Sequence, residues 1–88
     1  MEKNLNTMAF SKDDLKKETV KEVLKSTKSA LEERGYSAVN QLTGYLISGD
    51  PAYISSHKNA RTIIQQVERY EIIEELVKAY LKENQWRY

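Results

Sequence analysis

At 88 residues the chain holds one small domain and has no length for a second. It has no Cys and one His, which argues against disulfides, thiol chemistry and a metal site, and no cofactor is expected. Its 14 basic and 13 acidic residues nearly cancel, unlike the basic excess of a general nucleic-acid binder. Only three Gly and one Pro, among many Lys, Glu, Leu and Ala, predict an all-helical chain. A core this small is marginal alone, and self-association is a common remedy.

The opening "MEKNLNTMAFSKDD" lacks the apolar run of a signal peptide. No segment approaches the ~18 apolar residues of a membrane span. A cytoplasmic protein without membrane insertion is expected. Residues 1–11 show no helical periodicity and read as a flexible tail carrying Leu5, Met8 and Phe10. Residues 12–88 read as a single helical domain.

In chain order, Ser11 and Asp14 fit a capping box at the start of the first helix. Val20, Val23, Leu24, Thr27 and Leu31 then recur on one helical stripe, with Lys and Glu on the other faces. Gly35 ends this helix as a left-handed residue. Ser37 caps a second helix, whose apolar side is Ala38, Val39, Leu42, Tyr45 and Leu46. Gly44, inside it, lets another helix come close, and Gly49 closes it.

The stretch "GYLISGDPAYISSHKNAR", 44–61, holds Ser48, Asp50, Ser55, Ser56 and His57, residue types from which a hydrolase site is built. Each except His57 has a capping role instead. Asp50 caps a short turn that has Pro51 at its first position, and Ser55 or Ser56 caps the last helix. No catalytic residue is assigned. The last helix is predicted over about 57–83 and carries two apolar arcs. Ala60, Ile63, Ile64, Val67 and Tyr70 form one; Ile72, Ile73, Leu76, Val77 and Tyr80 form the other. Either the helix is kinked or central in its own domain, or one arc faces a second subunit. The second reading is preferred, with Ile72, Ile73, Leu76 and Tyr80 as the dimer interface. Trp86 and Tyr88 add aromatics at the end. The fold expected is all-α, a small compact domain of about four helices with a flexible N-terminal tail, homodimeric.

Residues 35–61, "GYSAVNQLTGYLISGDPAYISSHKNAR", strongly resemble the IreB/ReoM family of small bacterial regulatory phosphoproteins. The family pattern is close to G-Y-x-x-[IV]-N-Q-[IL]-x-G-Y-L-[IL]-S-G-D-P-A-Y-I-x-x-H-x-[ND]-A-R. The likeness continues through "ERYEIIEELVKAYL", 68–81, and "TMAF", 7–10, and is weakest over 11–19. It implies a cytosolic helical homodimer, phosphorylated on a tail threonine by a transmembrane PASTA-type Ser/Thr kinase and served by that kinase's phosphatase. The matching phosphoacceptor is Thr7, followed by the tail motif residues Met8 and Phe10. The unmodified family protein promotes ClpC–ClpP degradation of a MurA-type enzyme, so its partners would be protease adaptor machinery or that enzyme. Phosphorylation relieves this, and the family thereby restrains cell-wall synthesis and β-lactam tolerance.

Two other classes compete with a regulatory adaptor. One is a dimeric helix-turn-helix-like DNA-binding protein, since His57, Lys58 and Arg61 sit together and Arg69 follows about two turns on. The same cluster otherwise reads as a solvated basic patch, or as a surface for an acidic partner or for the phosphorylated tail. The other is an enzyme, which the capping roles above disfavour.

Overall fold

The computed structural model describes residues 12–84, so Ser11, Trp86, Tyr88 and the tail residues Thr7, Met8 and Phe10 lie outside the described residues. The described chain is all-α. Four α-helices, α1 (Lys12–Glu33), α2 (Ala38–Ser48), α3 (Ala60–Ile64) and α4 (Arg69–Asn84), are joined through 3-10 turns at Pro51–Tyr53 and His57–Asn59.

α1 is the spine. Its predicted stripe is the buried one: Val20, Val23, Thr27, Ala30 and Leu31 are buried, and Leu24 packs partly against them. α3 lies against it most closely, and α2 and α4 also pack on it. Ile54, Ala60, Ile64 and Ile72 are fully buried and complete the core with Tyr45 and Val67. Outside the core, Lys16 Nζ lies 3.0 Å from Glu71 Oε2 and Lys21 Nζ 4.0 Å from Glu75 Oε2, so α1 and α4 are also linked by charge.

The joints follow local chemistry. Gly35 has φ +79°, and Tyr36 N donates to Leu31 O at 3.0 Å, the long-range bond of a Schellman end. Ser37 Oγ accepts from Asn40 N at 3.1 Å and caps α2. Gly49 has φ +78° and donates to Tyr45 O at 2.7 Å. Asp50 Oδ1 then accepts from Ala52 N at 2.9 Å, with Pro51 opening the turn.

Four expectations are corrected. First, the segment 57–83 is not one helix. Lys58 and Asn59 take left-handed φ of 49° and 64°, and α3 ends before a second break at 65–68. The segment is broken, which is the kinked alternative: Ala60, Ile63 and Ile64 of the first arc lie in α3, Val67 lies in the break, and Tyr70 lies in α4 with the second arc. Second, Gly44 admits a side chain and not a helix: a Cβ there would stand 2.5 Å from Tyr53 Cδ1. Third, Val39 is 73% exposed, because α2 packs through Ala38, Leu42, Tyr45 and Leu46 alone. Fourth, Tyr70, placed on the core-facing arc, is 73% exposed.

Candidate functional site: the Glu33 joint and the exposed helix faces

The reversed turn at His57–Asn59 brings His57 and Lys58 onto the last residue of α1. Glu33 Oε1 lies 2.9 Å from His57 Nε2, and Glu33 Oε2 3.1 Å from Lys58 Nζ. The hydrogen bond from His57, and next that from Lys58, hold the Glu33 carboxyl below the usual carboxylate range. Lys58 takes this left-handed backbone, uncommon for a non-glycine residue, at the turn where its side chain meets Glu33. Ser55 Oγ accepts from His57 N at 3.1 Å, and Ser55 N donates to Gln41 Oε1 at 2.9 Å, fixing the approach to the turn.

Arg61 does not join His57 and Lys58 at the surface. It is half-buried and its Nε donates to Ile54 O at 2.8 Å, across the core side of the turn. Arg69 is exposed but is also held within the chain: Nη1 donates to Leu46 O at 2.9 Å, with the guanidinium against Gly49. All four residues of the predicted basic patch therefore have a partner within the chain.

Among the serines of 44–61, Ser48 and Ser55 have local partners, whereas Ser56 makes no side-chain cap bond. Ser48 Oγ donates to Gly44 O at 2.8 Å and accepts from Asp50 N at 3.0 Å. The His57 ring faces Glu33, not a serine. Among the described residues, no cluster of three His, Asp or Glu is placed to hold a metal. No described helix is long and apolar enough to cross a membrane.

The predicted dimer face divides. Ile72 is fully buried within the chain and offers no surface, a correction to its assignment. Ile73, Leu76, Val77 and Tyr80 are 41–55% exposed along the outer side of α4. A second exposed stripe, Val39, Thr43 and Ile47, runs along α2; its four-residue spacing was present in the sequence but was overlooked.

Glu33, Gln41 and Glu71 were also missed. Glu71 Oε1 accepts from Glu68 N at 3.0 Å, half of a capping box at the start of α4, while its other oxygen meets Lys16. The Glu68 N–H, and next Lys16, hold the Glu71 carboxyl below the usual range. Its position three residues after the cap was the available signal.

The described residues thus form a small helical domain whose joints are held by local polar contacts and whose α2 and α4 carry exposed apolar residues. The chain matches the family model of the IreB regulatory phosphoprotein over residues 5–82, and it belongs to that family. It is thus a member of a family of regulatory phosphoproteins, and the matched region includes Thr7, Met8 and Phe10.

Proposed function

We propose that the chain is a cytoplasmic adaptor switched by phosphorylation of Thr7 by a PASTA-type Ser/Thr kinase and reset by its phosphatase. The observation that carries this reading is the family match, which begins at residue 5 and so takes in Thr7. Unmodified, the protein promotes ClpC–ClpP degradation of a MurA-type enzyme and so restrains peptidoglycan synthesis and the tolerance of cell-wall antibiotics. A homodimer through Ile73, Leu76 and Tyr80 on α4 presents two copies of the partner surface. The internal pairing of Lys58, Arg61 and Arg69 supports an adaptor over a DNA-binding protein, because each would have to give up a partner within the chain to reach a phosphate.

The test is a kinase reaction read by intact mass and fragmentation, with Thr7→Ala as control. One phosphate on Thr7, absent from Thr7→Ala, is expected. Phosphate confined to Thr19, Thr27, Thr43 or Thr62 overturns the assignment.

A further inference from the structure

Between α1 and α3 runs an open groove. Leu15, Thr19, Val23 and Ser26 form its α1 wall, and Ile63 with Gln66 faces them. Leu15 is 55% exposed, so an apolar part of the groove is open to water. Along this ridge of the helix the shorter side chains of Thr19 and Ser26 alternate with Leu15 and Val23, which leaves room for a close approach.

Glu18 and Glu22 stand beside the same wall, one turn apart. Like charges at this spacing disfavour the helix that carries them. Glu33, Glu71 and Glu75 each meet a lysine. Among the described residues, Glu18 and Glu22 form no ion pair. The groove continues to Lys25 and Ser29, and Lys25 also forms no ion pair among the described residues. Its rim is therefore acidic toward Leu15 and basic at Lys25.

We propose that this groove seats an amphipathic helix of a partner protein, one that carries Lys or Arg beside its apolar stripe. This rests on the adaptor reading for its biological role, and it supplies that reading with a contact surface; the docking itself does not depend on Thr7.

Shape selects a helix. Two packed helices leave a furrow that takes a third, ridge into groove, through apolar side chains at i, i+4 and i+7. From Leu15 to Ser29 the furrow follows α1 for about 21 Å, the length of about 14 helical residues. Charge selects its sign and direction. A cation facing Glu18 and Glu22 relieves their mutual repulsion, whereas a carboxylate there adds a third like charge. Lys25 sets the direction, with the basic end of the occupant over Glu18 and Glu22 and a neutral or acidic end over Lys25. The same two glutamates repel the phosphates of a nucleic acid. A second copy of the chain answers the rim poorly: α2 has no charged residue, and Lys78 on α4 is already paired with Glu74.

The experiment titrates isotope-enriched full-length protein with two synthetic helix-forming peptides of about 14 residues. Both carry Leu at i, i+4, i+7 and i+11; one has two Lys beside the first Leu, the other two Glu. The Lys peptide should shift the amide signals of Thr19, Val23, Ser26, Ile63 and Gln66 and leave those of Val39, Ile47 and Leu76 in place. The Glu peptide should bind about tenfold more weakly. In Glu18→Lys with Glu22→Lys, whose fold is checked by its helical signal, the preference should invert. Leu15→Ser, at an exposed position, should weaken both peptides alike. Equal affinity for the two peptides, an unchanged preference in the double variant, or shifts centred on α2 or α4 overturns the proposal. So does a parent spectrum whose groove signals move with protein concentration, which gives the groove to a second copy. Peptide affinity that rises severalfold when Met8 and Phe10 are changed to Asp gives it to the chain's own N-terminal residues, and also overturns the proposal. All of this is read on unmodified protein, so a failure of Thr7 to accept phosphate is seen separately, by mass.

Discussion

Glu33 and His57 stand 24 positions apart in sequence, yet Oε1 of one and Nε2 of the other lie 2.9 Å apart. The contact ties the end of α1 to the turn that reverses the chain before α3. Because the Glu33 pKa is lowered on folding, its contribution to stability is present above its unfolded value, 4.5, and is lost as pH falls through the lower folded value. Glu33→Gln should therefore flatten the acid limb of the Tm–pH curve below about pH 5. Thermal melts of both proteins across that range check this; parallel curves would show that the carboxylate adds nothing.

Thr27 is fully buried in α1 and its hydroxyl has no hydrogen-bond partner among the described residues. Thr27→Val keeps the shape and removes the unpaired polar atom. It should stabilise the protein by about 1 kcal/mol, and for a domain of this size raise Tm by about 4–8 °C. Calorimetry reads the shift, and a fall in Tm would mean that the hydroxyl has a role in the fold.

Gly49 combines a φ of +78° with the Arg69 guanidinium, 2.9 Å from where a Cβ would sit. Gly49→Ala should cost about 1–2 kcal/mol from the left-handed backbone alone, and more if Arg69 loses Leu46 O. Asp50→Ala, which removes the next cap, should cost about 1 kcal/mol. Urea midpoints measure both. If Asp50→Ala kept full stability and abolished regulation, the turn would be a recognition site instead of a joint.

Ile72 and Leu76 make a matched pair on α4. Ile72 is fully buried and Leu76 is 41% exposed. Leu76→Glu should give a folded chain that sediments at half the mass of the parent. Ile72→Glu should abolish the helical signal, since an unpaired charge would enter the core. A parent that sediments as a monomer at micromolar concentration would refute the dimer.

Local signals were read well from sequence. Gly35, Ser37, Gly49, Asp50 and Pro51 do what their residue types predict, because each need is met within a few positions: a positive φ, a donor to cap, a preset first turn. The stripe from Val20 to Leu31 was equally legible, since a helix of 22 residues shows its period many times.

The breaks at 57–59 and 65–68 were not legible, for no Gly or Pro marks them. Lys58 and Asn59 are held left-handed in a setting where Glu33 engages His57 and Lys58 and where Ala60 and Ile64 enter the core together. The same distance hid the roles of Gly44 and Val39. Whether a small residue faces a ring, or an apolar one faces water, depends on which elements pack beside it. The order of residues thus determined the caps and the apolar stripe of α1. Only tertiary packing decided where the last helix divides and which apolar residues stay outside, because those energies arise between segments far apart in the chain.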